Sequence, residues 1–180
     1  AIAKAGGEAR VAGGAVRDAL MRRPVGDVDL ATTLVSEAVI AAARKAGFGG
    51  TFFNVSFVGT QALADELKNE GAGVMISQVM PFPYTASVPI TREFQAAAAK
   101  AGGSVQTNYS SLEGYLAAKV FTEGLKRAPK NATREQLIAG LESIQRVDFG
   151  GFMVDFGPRD HVASSYVDLS MLTGDGKVRR

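Results

Sequence analysis

The chain has no cysteine and a single histidine among its 180 residues. The missing cysteines exclude disulfide bridges, thiolate metal sites and a cysteine nucleophile. His161, in the stretch "GPRDHVASS", has no histidine or cysteine partner for a metal cluster. No Ser-His-Asp or Cys-His arrangement can be assembled around it, so it reads as a surface turn residue. No apolar run approaches the roughly 20 residues needed to span a bilayer, which argues against membrane insertion. Charge of neither sign dominates: 20 Lys and Arg stand against 18 Asp and Glu, for a formal net charge of +2. Nothing in that balance calls for a nucleic-acid partner. The basic residues are scattered, apart from Arg22–Arg23 and the terminal Lys177, Arg179 and Arg180, which read as a solvated end.

What is present is ordinary for a soluble globular chain: 46% apolar and 21% charged residues,. The length suits one domain with a real core, or two small ones. The chain opens at Ala1 without a methionine or a charged-then-apolar leader. It is therefore expected to be a processed or trimmed product, and the compartment stays open.

Strand and helix signals alternate along the front half. Arg10–Ala12 is a short strand candidate, followed by a Gly-Gly turn and a helix from about Ala15 to Met21. Asp27–Ala31 reads as a strand. Ser36 is a candidate N-cap for a helix through Lys45 that Gly47 closes. "TFFNVSFV" and "GVMISQVM" are apolar runs of the kind found in buried strands, and "TQALADELKNEG" between them is a short helix. Three prolines in "PFPYTASVP" make a crossing loop or hinge. Helices follow at about Ile90–Ala101, Ser111–Arg127 and Thr133–Ile144, the last with a capping-box pattern of Thr133 and Gln136. "FMVDF" and "SYVDLSML" look like sheet segments, and "GDGK" carries a tight turn before Val178. The resulting expectation is an α/β fold: a mostly parallel sheet with flanking helices, ending in antiparallel tail strands.

The most distinctive short stretch is "VAGGAVRDALMRRPVGDVDLATT". Gly13 and Gly14 before a helix would let backbone approach a phosphate, with Arg17 available for a charge-assisted contact. Asp27 and Asp29, two apart on a strand, would face one side and could hold Mg²⁺ for nucleotidyl transfer. Residues 9–34 resemble the head domain of the tRNA CCA-adding enzyme and bacterial poly(A) polymerase family. By that resemblance Asp27 and Asp29 are metal ligands, while Gly13, Gly14, Arg17 and Asp18 meet the triphosphate. The alternative reading is a strand-turn-helix-strand scaffold whose aspartates are solvated at a strand end.

A longer resemblance covers about residues 41–172. "ARKAGFGGTFFNVSFVGTQALADELKNEGAGVMISQVMPFPYTASVPITREFQAA", then "YSSLEGYLAAKVFTEGLKRA", "TREQLIAGLESI" and "GGFMVDFGPRDHVASSYVDLSML", resembles type 1 periplasmic substrate-binding proteins of ABC transporters, in the branched-chain amino-acid group. The resemblance implies two α/β lobes closing over a small amino-acid-like ligand, no catalysis, and a periplasmic location if that parent governs. It also implies that the loop after "NVSFVG" faces the cleft, so Gln61, Ser56 and Thr60 become ligand-facing candidates, with Tyr84 and Tyr109 beside them. By the same resemblance, relatives that bind leucine tend to carry a Glu where Gln61 stands, pairing it with the ligand's ammonium; a neutral Gln loses that charge pairing. The bland alternatives are that Gln61 caps its helix and that Tyr109 seats a helix start.

Together the two resemblances describe a chimera: residues 1–34 are nucleotidyltransferase-head-like, and residues 35–180 a partial binding-protein region, merged in one domain. The leading functional expectation is solute binding, with Mg²⁺-dependent nucleotide or phosphate binding, or a folded chain with no ligand, as alternatives. The strand of Asp27 and Asp29, the helix after it and "TFFNVSF" are expected to form a βαβ unit on one parallel sheet. Helices with apolar faces lacking a partner lobe predict self-association.

Overall fold

The computed structural model describes residues 1–56 and 59–180. The expected strand "TFFNVSFV" ends in Phe57 and Val58, which lie outside the described residues. After a 3-10 turn at Ala3–Ala5, β1 (Ala9–Ala12), α1 (Gly13–Leu20) and β2 (Asp29–Thr32) form one small unit. Next come α2 (Ser36–Lys45), β3 (Phe53–Val55), α3 (Thr60–Leu67), a 3-10 turn at Lys68–Gly71 and β4 (Met75–Gln78). The chain then runs through α4 (Pro89–Lys100), α5 (Tyr109–Arg127) and α6 (Arg134–Glu142). It finishes with β5 (Val147–Asp148), β6 (Met153–Val154), β7 (Asp168–Leu172) and β8 (Val178–Arg179).

The expected α/β class is observed, and the tail is antiparallel as expected, but the strand sense differs from the expectation. The main sheet has the order β3-β4-β7-β8; β3 and β4 are parallel, while β4–β7 and β7–β8 are antiparallel. The cause is the long excursion through α4–α6, after which β7 returns alongside β4 in the opposite direction. A turn at Gly174–Gly176, with Gly176 at φ +73°, then folds β8 back.

The expected βαβ unit does not form either. β2 pairs antiparallel with β1 in its own two-stranded sheet, from Ala9 opposite Thr32 to Ala12 opposite Asp29. All four β2 residues are exposed. A parallel central strand is covered on both faces and reads as a continuous apolar run, which "DLAT" does not supply.

Helix ends follow local chemistry. Ser36 is the first residue of α2 rather than its cap; Val35 occupies that position, without a side-chain bond. At the other end Gly47, at φ +89°, donates to Arg44 O, and Phe48 donates to Ala43 O. These two bonds make the left-handed glycine stop that the sequence announced. The Thr133–Gln136 capping box is present at α6, with Gln136 N–H donating to Thr133 Oγ1 at 3.3 Å and Thr133 N–H to Gln136 Oε1 at 2.9 Å.

Two cores result. One packs α2 and α3 on the main sheet through Ile40, Leu63, Leu67, Val74, Ile76 and Leu172. The other packs α4, α5 and α6 on the β5–β6 ribbon through Ile90, Phe94, Leu112, Leu116, Ile144 and Val154. Met80, just after β4, touches both. Tyr109, at the head of α5, belongs to the sheet core although the rest of its helix belongs to the other. That shared tyrosine brings the start of α5 to the end of the sheet. No helix among the described residues is long and apolar enough to cross a membrane.

Candidate functional site

The parallel pair β3 and β4 ends at Val55 and Gln78, and α3 begins just beyond β3. Between the first turns of α3 and α5 lies a cavity of about 260 Å³, whose lining includes Thr60, Gln61, Asp65, Asn108, Tyr109 and Ser110. The first backbone N–H groups of a helix lack intrahelical partners and carry partial positive charge. At α3 no side chain caps them. At α5, Asn108 Oδ1 accepts from Ser111 N–H at 2.9 Å, leaving the other first-turn amides uncapped by it. The inner end of the cavity is thus rich in donors, and the Asp65 carboxylate stands one turn along α3.

Tyr109 is the aromatic residue of the lining, and two further rings pack against it. Phe82, Tyr84 and Tyr109 meet edge-to-face, with ring centroids 5.2, 6.3 and 6.1 Å apart,. Tyr84 donates through its hydroxyl to Gln61 Oε1 at 3.2 Å, and Gln61 Nε2 donates to Asp65 Oδ1 at 2.8 Å. Burial, and then the Asp65 charge, push the Tyr84 phenol above its ordinary range. Burial pushes Tyr109 higher still. Both therefore stay protonated donors at neutral pH.

Behind these rings lies a polar group with unusual surroundings. Gln78 is fully buried at the end of β4. Its Nε2 donates to Thr60 Oγ1 at 2.8 Å and to Ser170 Oγ at 2.7 Å, while Oε1 has no partner among the described residues. One amide thereby ties the first residue of α3 to β4 and β7.

Of the residues expected from sequence, Thr60, Gln61, Tyr84 and Tyr109 come together here. Ser56 does not join the cavity lining; its carbonyl accepts from Gly59 N–H at 3.1 Å. Gln61 does not cap its helix but links Tyr84 to Asp65. Asp65, Gln78, Asn108 and Ser170 were not foreseen. A lone amide inside the buried run "GVMISQVM" was a legible signal for Gln78. Asn108, three residues before Ser111 at a helix start, was a legible cap.

The other candidate set does not converge. Gly13 adopts φ +65° and opens α1 directly over the Asp29 carboxylate, which a side chain at that position would strike. Gly14 follows it within the helix. Arg17 is taken by its neighbour, with Nε and Nη2 donating to the two Asp18 carboxylate oxygens at 2.9 and 3.0 Å. Asp27 falls outside β2, so the shared-face argument does not hold for Asp27 and Asp29; Asp27 Oδ1 instead accepts from Val28 N–H at 2.9 Å. Among the described residues no three His, Cys, Asp or Glu side chains converge in a way that would hold a metal ion.

Larger hollows lie elsewhere, two of them beside the β5–β6 ribbon. One of about 660 Å³ runs along β6 and the 157–166 loop beside Arg146, Asp155 and Asp160. The other, about 450 Å³ and mainly apolar, lies between α5, α6 and β6. The second meets Val79 and Met80, just after β4, but neither hollow is lined by the first turn of a helix.

A crevice at the carboxyl ends of parallel strands, floored by helix N-termini and lined by a tyrosine, is the layout of a small-molecule-binding α/β protein. Comparison with known proteins defines the family. The family described as "Periplasmic binding protein" matches residues 28–177, and the chain belongs to it. That match begins at Val28, so it takes in β2 and α2, earlier than the resemblance read from about residue 41.

Among solved structures, the chain is similar to a possible leucine/isoleucine/valine-binding protein from Rhodopirellula baltica. The identity is 29% and the TM-score 0.73, over 79% of this chain and 38% of that one. An extracellular ligand-binding receptor from Verminephrobacter eiseniae is 35% identical with a TM-score of 0.67, over 80% and 41%. A substrate-binding periplasmic protein from Ralstonia solanacearum is 30% identical with a TM-score of 0.69, over 79% and 41%. The chain spans about two-fifths of the length of these structures. No curated protein matches it.

Proposed function

We propose that the chain serves solute capture of the ABC-transporter type, holding a small amino-acid-like ligand in the cavity between α3 and α5 without chemical turnover. The carrying observation is that Thr60, Gln61, Asp65 and Tyr109 line one cavity at the carboxyl end of the parallel strands. Donors at its inner end suit a carboxylate, Asp65 suits an ammonium, and the Tyr109 ring suits an apolar side chain. The similarity to a possible leucine/isoleucine/valine-binding protein supports a branched-chain ligand. At about 260 Å³ the cavity is small for a complete ligand pocket of roughly 300–1,000 Å³,. On this reading it is one face of a larger site, which fits a chain spanning about two-fifths of the length of the similar structures.

Thermal unfolding with leucine, isoleucine and valine tests this. A ligand at 100 times its dissociation constant raises stability by about 2.7 kcal/mol, a clear rise in midpoint. A cooperative melt that these amino acids leave unmoved would end the reading. We also propose that copies associate through the apolar groove of α5 and α6, where Phe121 and Leu125 are exposed,. A sharp monomer by light scattering would end that part.

A further inference from the structure

We propose that Gln78, acting through the Thr60 hydroxyl, makes the inner wall of the cavity a hydrogen-bond donor, so that the ligand group received there is a carboxylate. The inference rests on the reading of this cavity as the ligand site, and it names a positioning residue within it.

The warrant is a count of protons. A side-chain amide has two N–H protons, and here each goes to a hydroxyl oxygen, Thr60 Oγ1 and Ser170 Oγ. A hydroxyl that accepts from an amide keeps its own proton to give. Thr60 lines the cavity, so its proton is available there. Tyr109 also lines the cavity, so its hydroxyl is a second O–H donor there. The two donors stand on opposite helices, α3 and α5, and the amide sets the direction of the one on α3. The uncapped N–H groups of α3 point the same way in charge,.

The setting of the amide is fixed by what each choice leaves unpaired. As it stands, one carbonyl, Gln78 Oε1, has no partner. Turned over, the amide would leave two N–H donors unpaired in the same buried place, and orphaned buried donors are the rarer case. An ionised carboxylate offers about four lone-pair positions to such donors and carries the charge that two helix N-termini favour. An ammonium at the same spot would meet only donors. Its place is Asp65, whose carboxylate receives Gln61 Nε2 at 2.8 Å.

The test begins with the smallest probes. Sodium acetate and ethylammonium chloride are titrated separately into the ¹⁵N-labelled chain, reading the Gln78 side-chain NH₂ and the Thr60 and Tyr109 backbone amides by NMR. Acetate moves these signals and ethylammonium does not; the reverse result, or no movement with acetate, overturns the proposal. Affinities for L-leucine and L-leucinamide are then measured by calorimetry for the wild type, Thr60→Val, Gln78→Met and the double variant. The preference for leucine falls about tenfold in either single variant, and the double variant falls no further, because both act on one donor path. An unchanged preference in Gln78→Met, or additive losses, overturns the proposal. If acetate moves the signals but leucine does not bind, the amino-acid reading falls and the carboxylate inference stands.

Discussion

The β1–α1–β2 unit and the body that starts at α2 hold their polar groups on opposite terms. In the first, Arg17 and Asp18 satisfy each other, Asp27 binds its own neighbour's N–H, and Leu30 and Val28 face solvent. Of the residues in α1 only Ala15 is buried. In the body, a fully buried glutamine reaches across β4 and β7 to the head of α3, and Tyr109, which lines a cavity, is backed by the rings of Phe82 and Tyr84. The difference teaches that a site is made by convergence under burial. A recognisable run of residue types is not enough when nothing packs over it, because solvated carboxylates gain little from one another in water.

The sharpest way to break this contrast is to cut into each region equally. Phe94 is almost wholly buried among α4, α5 and the β5–β6 ribbon, whereas Leu30 is 61% exposed on β2. Phe94→Ala should cost about 3–5 kcal/mol through lost burial and the cavity left behind. Leu30→Ala should stay within about 0.5 kcal/mol, as surface substitutions do. Urea unfolding of both variants decides it, and equal losses would mean that the front unit has a core after all.

A second variant asks how tightly the body is packed. At the crossing of α5 and α6, a Cβ on Gly140 would come within 2.7 Å of the Gly124 carbonyl oxygen. Gly140→Ala gains helix propensity, by about 1 kcal/mol at most. Backbone cannot move aside as a side-chain tip can, so overpacking should win and the variant should lose about 1–3 kcal/mol. A more stable Gly140→Ala protein would show that the two helices have slack.

Much of this body was legible in the sequence. The bounds of α2, the α6 capping box and the glycine stop after α2 follow from local chemistry, which a sequence states directly. The antiparallel tail was legible, but its place beside β4 in the main sheet was not, because that depends on where the α4–α6 excursion returns the chain. Thr60, Gln61 and Tyr109 could be placed near one another by family likeness. Their link to Gln78 and Ser170 spans 18 and 92 residues. No local pattern encodes a contact of that separation.

A smaller effect joins α4 to α5. Glu93 accepts from Lys119 Nζ and Tyr115 Oη, both at 2.6 Å, and these bonds, the lysine's first, hold its carboxyl below the usual range. A depressed carboxyl contributes stability that is present above its unfolded-state value and lost as pH falls through the folded one. Glu93 is half exposed, so screening keeps the contribution below about 1 kcal/mol,. Glu93→Gln should therefore be slightly less stable than the wild type at pH 7, with the gap closing once the medium is more acidic than ordinary carboxylate titration. A gap that persists unchanged at pH 2 would assign the effect to packing.

The smallest expected effect bears most directly on the contrast between the two regions. Asp27→Asn with Asp29→Asn removes both candidate Mg²⁺ ligands at once. Asp27 lies outside the strand, and no third carboxylate, histidine or cysteine joins the pair among the described residues. Mg²⁺ takes near-octahedral oxygen coordination and gives up water reluctantly, so two solvated carboxylates hold it weakly. The double variant should match the wild type in melting midpoint, with and without Mg²⁺-ATP or Mg²⁺-CTP. It should also keep any rise produced by leucine, isoleucine or valine, since that rise belongs to the other region. A wild-type midpoint that climbs with Mg²⁺-nucleotide, and a double variant that loses the climb, would place a working site in the front unit. Burial and convergence would then not be what separates a functional cluster from a mere run of residue types in this chain.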